Sequence, residues 1–347
     1  MKITTKILGV KDGDAIIITL QKEKKNIVML IDSGEKSYAP RVISELENAL
    51  KQFGKTAPDL IVCTHYDSDH IGGMKDIISH FVKKGSKPGK VWLHKPNPAI
   101  LKLFSDADTY LQSKKKFVGK MVPMLLENSF EREGILNEAE MLIESVPQLS
   151  SLVDILNSAN ISIHEPFAGN KFLPDWEEIE VIGPSVLFFN SIFPHGITTD
   201  EIIKEEVYFK QMCEKKSVAN AQKTACEILD QDAANKSVTK TNMASIIICI
   251  NVDGEKFLFA GDADIKAFES IKDYNEKLSN IHFLKIPHHA SRNNISSNII
   301  GIMKPKIAYV SGDKYLDEEV IGCLKAHKAE VKFTRTPGVD LYFEFGS

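Results

Sequence analysis

The chain has 347 residues, 43% of them hydrophobic and 26% charged, with a formal net charge of -4. Disordered and collagen-like architectures are excluded, and nothing in the charge balance draws the chain to nucleic acid or to an anionic membrane in bulk. The length suits one large domain with insertions or two modest ones, with enough core to fold without staples.

Residues 1–98 alternate short β-like runs with turn signals: KITTKILGV, AIIITL, NIVMLIDSG, DLIVCTH and KVWLHKP. Between the third and fourth, Val42, Ile43, Leu46, Ala49 and Leu50 fall at helical spacing within 40–53. A second helix is expected after His70 through Met74, Ile77, Ile78 and Phe81, stopping at Gly85. Residues 99–240 read as mostly helical insertions, with Lys114, Lys115, Lys116 and Lys120 clustered and a returning strand near 179–189. β character resumes over 241–347 in SIIICINV and KFLFAGDAD, joined by an Asp-Gly hairpin turn, and then in HFLKIPHHA, KIAYVSG, VKFTRT and DLYFEF. Helices are expected around 265–278, 297–303 and 318–327.

Five cysteines (Cys63, Cys213, Cys226, Cys249 and Cys323) form no CxxC pair, which favours a reduced, cytoplasmic setting. The N-terminal twenty residues are charged before any long apolar stretch forms, and the run Ile246 to Ile250 is far short of a bilayer span. Neither a signal peptide nor membrane association is expected.

THYDSDHIGG, directly after the run DLIVC, carries the chemistry. His65, Asp67, Asp69 and His70 offer four ligating side chains within six positions, more than a helix cap requires. Joined by ligands from elsewhere, such a loop can hold two divalent ions about 3.5 to 4 Å apart. Asp262 follows an apolar run and Gly261, where a carboxylate can bridge two cations, and His288 and His289 follow another strand. Asp32, in LIDSG, is placed to orient a ligating imidazole. The expected grouping is Asp69, His70, Asp262 and His288 around one ion, and His65, Asp67 and Asp262 around a weaker one, with His288 preferred over His289. His94, His164 and His195 are candidates for a further ligand, each more readily read as a core or surface histidine.

These motifs resemble those of the metallo-β-lactamase fold hydrolases, whose H-x-[HED]-x-D-H pattern appears as His65, Asp67, Asp69 and His70. Within that superfamily the sequence is similar to the soluble nuclease-type domain of competence DNA-uptake proteins, through VKDGDAIII, Asp32 with Gly34, Asn242 with Ser245, Gly261 with Asp262, and Lys285, Pro287, His288 and His289. The resemblance covers residues 1–98 and about 241–345. Ala290 stands where that family has glycine, and VSGDKYLDE lacks the family's histidine. The resemblance implies an α/β fold, an αββα sandwich with helical insertions: an N-terminal half over 1–98, insertions over 99–240 and a C-terminal half over 241–347. It places Asn242 near the metals.

Three carboxylates among the ligands favour manganese, with zinc as the alternative. The expected activity is that of a metal-dependent hydrolase, a phosphodiesterase or nuclease with DNA or RNA as substrate, using a metal-bridging hydroxide. Asp69, Asp262 and Arg292 are its candidate catalytic residues, Arg292 as a fork on phosphate oxygens. Lys83, Lys84, Lys87 and Lys90 offer a basic rim, and the helical insertions offer a surface for a protein partner. The alternatives are a hydrolase of small esters, thioesters or lactams, or a partner-controlled defence or regulatory effector.

Overall fold

The computed structural model describes residues 1–94, 148–169, 173–193, 223–231, 238–312, 314–334 and 338–347. The Lys114 to Lys120 cluster, Cys213, His195 and most of the expected insertion helices lie outside these residues.

The first half builds β1 (Lys2–Ile7), β2 (Ile16–Lys22), β3 (Lys25–Ile31), α1 (Ala39–Gln52), β4 (Leu60–Val62), α2 (Ser68–Ile71), α3 (Met74–Lys83) and β5 (Lys90–Trp92). β6 (Ile163–His164), β7 (Ile179–Gly183) and α4 (Val186–Ile192) follow, then α5 (Ala225–Leu229) and α6 (Lys240–Met243). The second half runs through β8 (Ile247–Val252), β9 (Glu255–Phe259), α7 (Ile265–Glu269), α8 (Tyr274–Lys277) and β10 (Ile281–Lys285). It ends with α9 (Ser297–Met303), β11 (Ile307–Ser311), α10 (Glu318–Ala326), β12 (Glu330–Thr334) and β13 (Leu341–Gly346).

Among the described residues thirteen strands form two sheets, ordered β13-β1-β2-β3-β4-β5-β6 and β12-β11-β10-β9-β8-β7. β3 to β6 and β9 to β12 pair in parallel, so the loops after β4, β9 and β10 leave from C-terminal strand ends. Between the sheets, Ile16, Ile18, Trp92, Ile248, Phe257, Phe283 and Tyr309 form one core. Outside the first sheet, α1 and α3 bury Val42, Leu46, Ile77, Ile78 and Phe81; outside the second, Phe268, Ile299, Ile300, Val320 and Leu324 do the same. The result is an αββα sandwich. A fully buried Phe or Leu contributes about 1.5–3 kcal/mol, and it is this burial that holds the layers against one another.

Four expectations change. β13 leaves the C-terminal half and pairs antiparallel with β1, Lys2 opposite Gly346, because its alternating Leu341, Phe343 and Phe345 complete the inter-sheet core. The strand expected through 179–189 stops at Gly183, where Pro184 follows and Ser185 caps α4 by accepting from Phe188 N. The helix expected over 265–278 breaks into α7 and α8, with Asp273 at φ +57° between them. Cys226 and Cys323, read as free thiols, are joined in a disulfide that ties α5 to α10, while Cys63 and Cys249 are free and buried. Among the described residues no helix is long and apolar enough to cross a membrane.

Candidate metal centre

β4 is followed, after Cys63, by the buried pair Thr64 and His65, and α2 begins one residue after Asp67, so the tight turn projects His65, Asp67, Asp69 and His70 to one side. Gly13 makes this turn possible from below. A Cβ there would lie 2.2 Å from the Asp69 carbonyl oxygen, so only glycine lets the β1–β2 loop support the Asp69 backbone. Gly261, at φ +52°, turns the chain after β9 against Thr64 and delivers Asp262 to the same place.

Asp262 Oδ2 stands at the centre, 3.4 Å from His70 Nε2, 3.7 Å from His65 Nε2 and 3.8 Å from His288 Nε2. His65 Nε2 is also 4.0 Å from Asp67 Oδ2, and His289 Nε2 is 4.0 Å from Asp69 Oδ2. Around His70, among the described residues, three triads have ligand atoms close together: His65, His70 and Asp262; Asp69, His70 and His289; and Asp14, Asp32 and His70, the last on the side of the ring held by Asp32. The geometry therefore sets His289, rather than the preferred His288, beside Asp69 and His70. The reason is the turn at Pro287–Ala290: His288 and His289 both adopt left-handed backbone, at φ +44° and +56°, which swings the second ring inward. Ala290 continues this path at φ +73°, a conformation that costs alanine more than the glycine of the resembling family.

Each imidazole is held by its other nitrogen. His70 Nδ1 lies 2.8 Å from Asp32 Oδ2, as the LIDSG motif leads one to expect. His65 Nδ1 faces Thr64 Oγ1 at 3.1 Å and Ser245 Oγ at 3.4 Å. His288 Nδ1 meets Asn294 Oδ1 at 2.7 Å, and His289 Nδ1 meets the Ser311 carbonyl at 2.8 Å. The Nε2 atoms of His65, His70 and His289 are buried without a protein hydrogen-bond partner. Orphaned imidazole nitrogens facing carboxylates are the donor set that divalent ions take, so these residues fit the metals that the motifs imply.

Without metal, the charges of the cluster sustain one another. Burial alone would raise Asp262, but the imidazoles of His70, His288 and His65 outweigh it and hold the carboxyl well below its ordinary range. Burial likewise opposes the His70 charge, yet Asp262 and Asp32 raise that imidazole well above its usual value. Burial lowers His65, helped by the charge of His70, and takes His289 down to about 4.

Arg292 does not face the cluster. Its guanidinium meets Glu319 Oε1 at 2.9 Å and the Ile228 carbonyl at 3.4 Å, joining the loop after the histidines to α10 and α5. The expected phosphate fork is corrected to a structural clasp, because two acidic residues at the start of α10 capture the loop: Asp317 also accepts from Arg292 N. Lys90 pairs opposite Leu60, at the end of β4 remote from His65, and Lys84 is paired with Glu47, so this group does not rim the site. His94 Nε2 donates to the Pro166 carbonyl, 2.6 Å away, and the ring stacks on Phe167, which makes it a core histidine. His164 lies on the edge strand β6, where burial, and then the charge of Lys90, lower it from its ordinary value.

Thr241 and Tyr315 had no legible signal, whereas Asn242 was expected near the metals from the resemblance. Thr241 donates to Asp67 Oδ1 at 2.9 Å, and Asn242 beside it is buried with neither side-chain polar atom partnered. Tyr315 sets its ring 4.5 Å from that of His288, with the Lys314 ammonium 4.8 Å above the tyrosine.

Residues 8–137 match the family described as the metallo-beta-lactamase superfamily. The chain carries a metallo-β-lactamase fold. A metallo-beta-lactamase with a HARLDQ motif from Cronobacter sakazakii is similar at 19% identity over 29% of this chain and 33% of its own, with a TM-score of 0.19; the match spans about a third of that protein. A diphosphatase of the PhnP family is similar at 12% identity over 99% of this chain and 98% of its own, with a TM-score of 0.37.

Proposed function

We propose that the protein is a metal-dependent phosphodiesterase, with manganese or zinc in a two-ion site and a nucleic acid strand as its substrate. The observation that carries this reading is the convergence of His65, His70 and His288 Nε2 on Asp262 Oδ2, the first two buried and unpartnered, with Asp67 near His65 and Asp69 near His289. His65, Asp67, Asp262 and His288 would hold one ion, and Asp69, His70, Asp262 and His289 the other. Bound there, two divalent ions supply Lewis acidity at phosphoryl oxygens and lower the pKa of water.

The chain's own residues do the remaining work. Asp32, Ser245, Asn294 and Ser311 fix the four rings, so little reorganisation accompanies reaction. Tyr315 and Lys314 sit beside His288 as a ring on which a base can stack and a cation for a neighbouring phosphate. With Arg292 engaged elsewhere, phosphate recognition falls to these two residues and the ions.

The test is a panel of single-stranded DNA, duplex DNA, RNA, a chromogenic phosphodiester and a β-lactam, run on chelator-stripped protein given manganese or zinc. Phosphodiester cleavage lost on the order of a hundredfold or more in Asp69→Ala, with an unchanged far-UV spectrum, is the expected result. Wild-type turnover in Asp69→Ala, or hydrolysis of the β-lactam alone, would overturn the reading.

A further inference from the structure

Lys285 and Asp14 form an ion pair at 2.8 Å with 0% and 1% of their side chains exposed. They are 271 positions apart, one on β10 in the second sheet and the other in the β1–β2 loop of the first. Stability alone does not account for such a pair, since a buried ion pair is often no better than apolar residues of the same volume.

Its connections lead to the site. One carboxylate oxygen of Asp14 faces Lys285, and the other accepts from the Ser311 hydroxyl. Ser311 in turn holds His289 Nδ1, 2.8 Å from its carbonyl and 3.1 Å from its hydroxyl oxygen. Lys285 also donates to the Ile286 carbonyl at 2.9 Å, in the segment that leads into the two histidines. The Asp14 carbonyl accepts from Gly34 N at 2.7 Å, beside Asp32, and its neighbour Gly13 supports Asp69.

We infer that Asp14 and Lys285 are positioning residues, which through Ser311 fix the tautomer and orientation of His289 and so set the affinity of the ion shared with Asp69 and His70. The inference rests on the two-ion reading above. The proton directions follow from the chemistry of each group. An ionised Asp14 can only accept, so Ser311 O–H must donate to it. The serine oxygens then accept from His289 Nδ1–H, which leaves the lone pair on Nε2, facing Asp69. Burial would raise the Asp14 carboxyl, and the Lys285 ammonium outweighs that to keep it low, in agreement with this arrangement.

Isothermal titration of chelator-stripped full-length protein with manganese chloride tests this in the wild type, in Ser311→Ala and in the charge-free double variant Asp14→Asn, Lys285→Met. The wild type is expected to show two affinities. In both variants one affinity should fall about tenfold or more while the other and the melting temperature stay close to wild type. Unchanged affinities in Ser311→Ala, or losses that merely follow a lowered melting temperature, would overturn the inference. If the double variant does not fold, Ser311→Ala decides alone. A wild type that binds one manganese ion or none would instead sink the two-ion reading, and this inference with it.

Discussion

His70 Nδ1 lies 2.8 Å from Asp32 Oδ2, and both side chains are fully excluded from solvent. Asp32 also accepts from Thr64 N at 2.8 Å and Thr64 Oγ1 at 2.6 Å, so one carboxylate ties β3 to both ends of the metal-binding turn. Asp32→Ala would leave three buried donors without an acceptor, each at a cost of about 1–3 kcal/mol. Urea denaturation should show a loss of several kcal/mol, and metal affinity should drop by about ten- to a hundredfold. Wild-type values in both measurements would show that Asp32 is dispensable.

Gly13→Ala should behave differently. The added carbon would lie 2.2 Å from the Asp69 carbonyl oxygen, backbone against backbone, so the turn itself must move. The expected outcome is weaker manganese binding together with a destabilisation of about 1–3 kcal/mol, read by calorimetry and thermal melting. An alanine variant with unaltered metal binding would contradict the role given to this contact.

What could be read in advance were the groups that ligate and their order along the chain. Two histidines and two aspartates in six residues after an apolar run admit few other purposes, and Asp262 and the paired histidines stand at strand ends in the same way. Asp32 was legible in LIDSG as the partner of a ligating imidazole, but the more distant supporting contacts were illegible for a physical reason. A hydrogen bond between Ser311 and Asp14, or an ion pair between Lys285 and Asp14, leaves no local pattern when its members are nearly three hundred positions apart. Arg292 beside two histidines invites a phosphate contact, and only the arrival of Glu319 on α10 reveals its engagement. β13 alternates as well as any other strand, but alternation does not say which sheet it joins.

Acid should destabilise the metal-free protein partly through His94, whose burial lowers its pKa to about 4. Its folded-state pKa lies below the unfolded value of about 6.5. The unfolded chain therefore binds the extra proton between these values, and the stability present above pH 6.5 is lost as pH falls toward 4. Between pH 7 and pH 5 the loss is about 2 kcal/mol for this one group. Denaturation of His94→Gln at both pH values should show a fall smaller by about that amount, and an identical fall would rule out the buried neutral imidazole.

The bond between Cys226 and Cys323 closes a loop with a sequence separation of 97. Crosslinks of this kind add about 2–4 kcal/mol. Dithiothreitol should lower the melting temperature of the wild type and leave a Cys226→Ser, Cys323→Ser variant unaffected. Mass spectrometry that finds both thiols free in the native protein would remove the basis for this expectation.

The ligand loops after β4 belong to one sheet, and those after β9 and β10 to the other. An ion seated among His65, Asp67 and Asp262, or among Asp69, His70 and His289, would thus be bonded to both layers of the sandwich at once. It would act as a rivet across their seam. Neither half can assemble such a site alone, so metal can select only chains in which the two sheets have already come together. At a free concentration a hundred times its dissociation constant, each ion would draw the folding equilibrium toward the native state by about 2.7 kcal/mol.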